Sequence, residues 1–284
     1  NGLIPQMMKG EITGSVKVGG VDTRTRGVNE LFPKAGLVFQ DFESQLFSTS
    51  VELEVAFGPE NLGLPLGDIQ KRIEWALETT GLSSLRRRQP GTLSGGQKQL
   101  LAIAAVLSMQ PDVLCFDEPT TDLDPKNKAL IFSLSRKLAG GQQTFIIVEH
   151  ETEETLSADR ILLMCDGRIM AEGPPDEILR NIPLLVQCSV MPLQLAELFS
   201  KLDIDELPLS VDEAHALWDK HALALAPEAQ ERLQISDESR ASNYGQPILS
   251  ADDVHYAYEG GVQAVAGASL QVREGEFIAI LGQN

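Results

Sequence analysis

In the stretch "TLSGGQKQLLAIAAVLSMQPDVLCFDEPTTDLDP" the residues that could do chemistry lie at both ends of one apolar segment. At its start, Leu93-Ser94-Gly95-Gly96-Gln97 open a helix pattern. Ser94 can cap that helix, and Gly95 and Gly96 let backbone N–H groups approach an anion closely. The helix macrodipole favours a phosphate at the same end. At its finish, Asp117 and Glu118 follow the apolar run Val113-Leu114-Cys115-Phe116. Acids at the C-terminal end of a buried strand sit where open α/β sheets bind ligands. There one carboxylate can hold a divalent cation on phosphate oxygens and its neighbour can polarise an attacking water. Two further polar residues close apolar runs in the same way, Gln40 in "GLVFQDFESQLF" and His150 in "FIIVEH". Each signal alone has an ordinary reading, as a capped helix start, a turn cap or a surface side chain.

Positioning these residues takes strands that end on one edge and helices that return the chain. The spacing predicts short strands over residues 14–18, before a Gly19-Gly20 turn, and over residues 36–39. A helix is predicted over residues 68–79, with Ile69, Ile73, Ala76 and Leu77 on one face, and a more apolar one over residues 97–109. The runs 113–116 and 144–148 read as buried parallel strands. "RILLMCDGRIMAEG" reads as a hairpin turning at Asp166-Gly167. From residue 184 to residue 246 the chain is helical in pattern and acidic, and it ends in a polar linker, "SDESRASNYGQ". Strand-like segments with Gly-rich turns restart at Pro247 and run to an apolar strand over residues 277–281.

Composition narrows the class. The 43% apolar and 23% charged residues describe a soluble globular chain, and there is no run of roughly 18 apolar residues to span a membrane. A net charge of −18 argues against a nucleic-acid partner bound through a broad basic face. The local run Arg86-Arg87-Arg88 reads as a solvated helix end. Cys115, Cys165 and Cys188 lack metal-ligand spacing and fit reduced residues in a cytosolic protein.

Taken together and in this order, the motifs resemble those of ABC ATPases. Residues 93–97 match the signature, Asp117 the Walker B aspartate with Glu118 beside it, Leu123 and Asp124 the D-loop, Gln40 the Q-loop and His150 the switch histidine. The resemblance implies an α/β P-loop NTPase fold of ABC type, with a mixed sheet and a helical subdomain. It implies ATP and Mg²⁺ as cofactors. It makes Glu118, His150 and Gln40 catalytic, and it places Asp117 and Gln40 on the metal. Leu93, Ser94, Gly95, Gly96, Gln97 and Asp124 would reach a nucleotide across a dimer. Asp122 departs from the small residue more frequent in the D-loop, and Glu149 stands where Thr or Ser is frequent.

No G-x-x-x-x-G-K-[ST] loop precedes Gln40, and the closing "GEFIAILGQN" ends as such a loop begins. Gly282, Gln283 and Asn284 then resemble the first residues of a second Walker A, and Tyr258 the aromatic that stacks on adenine. The resemblance thus divides the chain into residues 1–182, the part of one ABC domain after its Walker A, residues 183–246, an acidic helical segment and linker, and residues 247–284, the front of a second copy. It reads as an internal piece of a tandem ATPase, expected to hydrolyse ATP only at background rate by itself.

The short interval between Gln40 and Leu93 leaves room for a helical subdomain and not for a long coiled coil, which favours a transporter. "VFQDFESQLFSTSVELEVAFGPENLGLP" resembles the ATPases of energy-coupling-factor importers for vitamins or for cobalt and nickel ions. That implies membrane-embedded subunits and a second ATPase domain in the same chain as partners, with a substrate-binding membrane subunit reached indirectly. It implies a peripheral place on the cytoplasmic face of the membrane. A soluble ABC ATPase acting on ribosomes or other machinery, and a non-catalytic scaffold, remain as alternatives.

Overall fold

The computed structural model describes residues 3–7, 11–120, 123, 125–139, 143–224, 226, 244–258 and 263–280. Two compact units divide it, Asn1–Ala214 and His215–Gln283.

In chain order the first unit begins with a helical turn α1 (Leu3–Gln6), a two-rung ladder β1 (Lys17–Val18) and β2 (Val21–Asp22), and a second helical turn α2 (Val28–Leu31). Strand β3 (Ala35–Val38) follows, then helices α3 (Val51–Asn61), α4 (Leu66–Thr79) and α5 (Gly95–Leu107), and strand β4 (Val113–Asp117). Helix α6 (Pro125–Ala139), strand β5 (Thr144–Val148) and the turn α7 (Thr152–Thr155) come next. The hairpin β6 (Ile161–Cys165) and β7 (Arg168–Gly173) leads into α8 (Pro175–Leu179), α9 (Ile182–Gln187) and α10 (Gln194–Lys201), and α11 (Val211–Lys220) crosses the boundary after Ala214.

Strands β3, β4 and β5 form a parallel sheet in that order, with Val38 opposite Phe116 and Asp117 opposite Val148. This register places Gln40, Asp117-Glu118 and Glu149-His150 just past the same edge. One face of the sheet (Val38, Leu114, Phe116, Phe145, Ile147) packs into the main core with α5. Helix α5 is apolar nearly all round, and Leu101, Ile103, Ala104 and Leu107 are fully buried between the sheet and the pair α3–α4. The close approach needs Gly36, because a Cβ there would stand 2.3 Å from Val106 Cγ1. The C-terminal end of α5 is tied down from two sides. Ser108 Oγ donates to the Val55 carbonyl at 2.8 Å, and Arg72 donates to the Met109 carbonyl at 2.8 Å.

The helix predicted over residues 68–79 is α4, and its buried residues are Ile69, Ile73, Ala76 and Leu77 as its spacing requires. The hairpin turns at Asp166 (φ 48°) and Gly167 (φ 72°), the pair of left-handed residues a tight two-residue turn demands. Two sequence expectations need correction. Strand β5 is covered on one face only, and Ile146 and Val148 on its other face are each 53% exposed. Arg86-Arg87-Arg88, by contrast, follows the 3₁₀ turn Ser83–Leu85, with Arg86 as its C-cap as the helix-end reading expects, and Arg86 pairs with Glu52 on α3 at 2.5 Å. The second falls in the second unit, where β8 (Pro247–Ala257) and β9 (Gln263–Arg273) form a long antiparallel hairpin. Residues 276–280 after it form no strand, and Phe277 is 92% exposed. A strand is stable only when a neighbouring edge takes its N–H and C=O groups. Among the described residues none does so for residues 276–280.

Candidate functional site

The edge where β3, β4 and β5 end collects three of the predicted residues into direct contact. Gln40 Nε2 donates to Glu118 Oε2 at 2.8 Å. His150 Nδ1 stands 3.8 Å from that same carboxylate oxygen. Residues far apart in the chain thus converge because their strands are parallel and in register, not because the loops are long. Glu118 itself has φ 45°, in the left-handed region that few non-glycine residues enter. Its backbone N–H donates to the Val148 carbonyl at 3.0 Å, extending the β4–β5 ladder by one bond while turning the side chain toward Gln40. Strain of this kind costs about 1–3 kcal/mol and persists where the surroundings over-determine it.

Asp117 is the last residue of β4 and is exposed at the same edge. Its carboxylate and the side-chain oxygen of Gln40, on neighbouring strand ends, are both hard oxygen donors. Such donors suit Mg²⁺, which takes one or two protein ligands and completes its shell with water and phosphate oxygens. Among the described residues no cluster of His, Cys, Asp and Glu could hold a metal on its own.

The segment Leu93-Ser94-Gly95-Gly96-Gln97 forms the start of α5. Ser94 is its N-cap, and Ser94 Oγ accepts from Gln97 N at 3.4 Å while Ser94 N donates to Gln97 Oε1 at 3.1 Å. This capping box fixes the loop and leaves the N–H groups of Gly95 and Gly96 in the first turn without a helical acceptor. A Cβ at Gly95 would meet nothing, whereas one at Gly96 would stand 2.5 Å from the Asn127 side chain. Leu93 has its side chain in the main core, so only its backbone can face a ligand.

Several functional contacts escaped the sequence. Gln45 copies a strand: its Oε1 accepts from Phe39 N at 2.9 Å and its Nε2 donates to the Leu37 carbonyl at 3.1 Å, fixing the backbone that leads into Gln40. Lys98 on α5 bridges to Glu43 at 2.7 Å, joining the Ser94 end of the helix to the turn after Gln40. Buried Glu54 accepts from Phe47 N and Ser48 N at 3.0 and 2.7 Å and folds the following loop. Beside that loop lies a groove of about 390 Å³ lined by Phe47, Phe57, Val106 and Met109 among others. No residue type marks these roles, since glutamine, lysine and glutamate occur throughout exposed loops.

Tyr258, in the second unit, is 60% exposed, and its ring packs edge-on against Tyr256 at 5.2 Å. Asp124, Gly282, Gln283 and Asn284 lie outside the described residues, as does Asp122.

Comparison with known proteins gives concordant results. The ABC transporter family model matches residues 3–121, which include Gln40, residues 93–97, Asp117 and Glu118. A protein of Caldanaerobacter subterraneus described as an ABC transporter ATP-binding protein is 45% identical over 288 residues, covering 100% of this chain and 51% of its own. A Pyrococcus abyssi protein of the same description is 46% identical over 192 residues, covering 67% of this chain and 69% of its own. Among solved structures, cbiO1 from Clostridium perfringens, part of the ABC transporter complex cbiONQ, is 33% identical with a TM-score of 0.57. That alignment covers 68% of this chain and 77% of cbiO1. The chain spans about half the length of the first curated relatives it matches.

Proposed function

Because the chain belongs to the ABC transporter family of ATP-binding proteins, we propose that it serves as the energy-coupling ATPase of an importer. The type we favour is the energy-coupling-factor group that takes up vitamins or metal ions. The observation that carries the catalytic reading is the meeting of Gln40, Glu118 and His150 at one sheet edge, 2.8 and 3.8 Å apart. Likeness to cbiO1 supports the importer class.

Mg²⁺, when bound, would neutralise charge on the β- and γ-phosphates of ATP. Asp117 and Gln40 would hold it. Glu118 would accept a hydrogen bond from the attacking water and orient it for in-line attack. His150 would donate to the γ-phosphate as charge develops there. Ser94 and the N–H groups of Gly95 and Gly96 would face a nucleotide held by a second ATPase domain. In this reading residues 1–182 are the part of one domain that follows its phosphate loop. Residues 183–246 connect it to residues 247–284, the front of a second copy whose adenine would stack on Tyr258. The phosphate loop of that copy would begin at Gly282-Gln283-Asn284, and Asp124 would contact the opposite domain.

Closure on ATP would move membrane-embedded subunits. The apolar groove at Phe47, Phe57 and Met109 is the proposed seat for a short helix of such a subunit on the cytoplasmic face of the membrane. No described helix is long and apolar enough to cross a membrane, so attachment in this reading is peripheral.

The test is ATP hydrolysis by the full-length protein with and without Glu118→Gln. Loss of turnover with retained ATP binding supports the assignment, and full turnover in the variant overturns it. Turnover by the 284-residue chain alone, abolished by Glu118→Gln, would overturn the division of each site between two domains.

A further inference from the structure

Behind the Gln40–Glu118–His150 edge lies a second carboxylate cluster that the proposed hydrolysis does not use. Thr120, 1% exposed, places its Oγ1 3.0 Å from Glu149 Oε1 and 2.5 Å from Glu154 Oε2. A hydroxyl has one hydrogen and donates once. The second of these contacts is met best by a hydrogen on a carboxyl group, which the Glu149 carboxyl can supply. The surroundings agree. The other oxygen of Glu149, Oε2, is buried without a hydrogen-bond partner among the described residues, which suits a neutral carboxyl and not an anion.

Among the described residues the charged groups facing the pair are few. Lys128 of α6 reaches Glu154 at 3.0 Å and Glu151 at 2.8 Å. One ammonium thus meets two carboxylates and acts on Glu149 only through its charge, with His150 next in sequence to Glu149. Burial, and then the charge of Glu154, push the Glu149 carboxyl up to about 7.

Thr120 is well placed to make that proton matter. It lies two residues after Glu118, and its carbonyl accepts from Leu123 N at 3.2 Å. Glu149 directly precedes His150. We propose that Glu149 is a positioning residue for hydrolysis: with Glu154 it holds one shared proton and, through Thr120, fastens the Glu118–Thr120 segment to the segment bearing His150. Losing the proton sets two carboxylates against one hydroxyl and one cation, so the fastening opens and Glu118 and His150 lose their common register. The proposal rests on the ATPase reading above.

The test is the pH dependence of turnover by the full-length protein, wild type against Glu149→Gln and Glu149→Ala. Wild-type kcat should fall roughly tenfold from about pH 6 to about pH 8, with KM for ATP unchanged. Glu149→Gln, which keeps a donor and an acceptor at Thr120 but cannot ionise, should hold its kcat within about threefold of the wild type at the acid end and lose this fall. Glu149→Ala should be slow throughout. A fall at the same pH in Glu149→Gln overturns the proposal. Carboxyl ¹³C NMR of the labelled protein gives an answer independent of turnover. A Glu149 signal titrating near neutrality upholds the shared proton even if the wild type proves inactive, in which case the ATPase reading alone fails. Titration in the ordinary carboxylate range overturns it.

Discussion

The side-chain amide of Gln40 is hydrogen-bonded to the carboxylate of Glu118 at 2.8 Å although 78 positions separate them in the chain. In this arrangement one oxygen of the proposed water-orienting carboxylate is occupied by a neighbour from β3. Gln40→Ala removes that restraint. It should lower kcat about tenfold or more while leaving the fold intact, since both side chains lie at the exposed sheet edge. Steady-state kinetics and circular dichroism on the same preparation check both halves.

Glu118→Gln should cost turnover on the order of 10²–10⁴-fold, the range for a positioned proton acceptor. It preserves the shape of the side chain and the N–H bond to Val148, so ATP binding measured by equilibrium titration should survive.

Ser94→Ala separates structure from chemistry at the start of α5. Loss of the N-cap should destabilise the protein by about 1 kcal/mol. Ser94→Asp restores a capping acceptor but adds a negative charge where a phosphate is proposed to sit. Urea denaturation should show recovered stability in Ser94→Asp, and turnover should fall further.

Gly36→Ala drives a methyl to 2.3 Å from Val106 Cγ1 where β3 passes under α5. Overpacking of this kind should cost about 1–3 kcal/mol. A denaturant midpoint equal to that of the wild type would refute the close approach.

Glu52 gives an acid-side signature. The Arg86 guanidinium bonded to it holds its carboxyl below the usual carboxylate range, against a smaller opposing effect of burial. A folded-state value lower than the unfolded one stabilises above the unfolded value and is lost as pH falls through the folded one. Both side chains are more than a third exposed, so the pair should contribute no more than about 1 kcal/mol. Stability of Glu52→Gln and wild type should therefore differ near neutrality and converge in acid.

Phe47, 63% exposed beside the apolar groove, should matter to assembly and not to folding. Phe47→Asp should weaken association with the proposed membrane subunits by at least about tenfold in a pull-down from detergent, with thermal stability unchanged.

Much of this was legible in the sequence where one local rule sufficed. The α4 face is a spacing rule, the Asp166-Gly167 turn a φ > 0 rule, and the acids after β4 a strand-end rule. What the sequence hid depends on partners. Residues 277–281 read as a strand by composition, but pairing decides strands, and Phe277 and Ile280 stand exposed. Ile146 reads as buried because its neighbours are apolar, yet α5 and its companions cover only the opposite face. Gln45 and Glu149 act through geometry that no residue type announces.

Helix α5 has a mechanical consequence. Its Ser94 end is pinned to the turn after Gln40 by Lys98–Glu43, and its far end is held by Arg72 and Ser108. A helix held at both ends and buried along most of its length passes on a push more readily than it bends. Whatever displaces the Gln40 turn must swing the glycines at Gly95 and Gly96 with it. In the proposed dimer those glycines belong to the opposite nucleotide, so α5 would act as a lever through which one site feels the occupancy of the other.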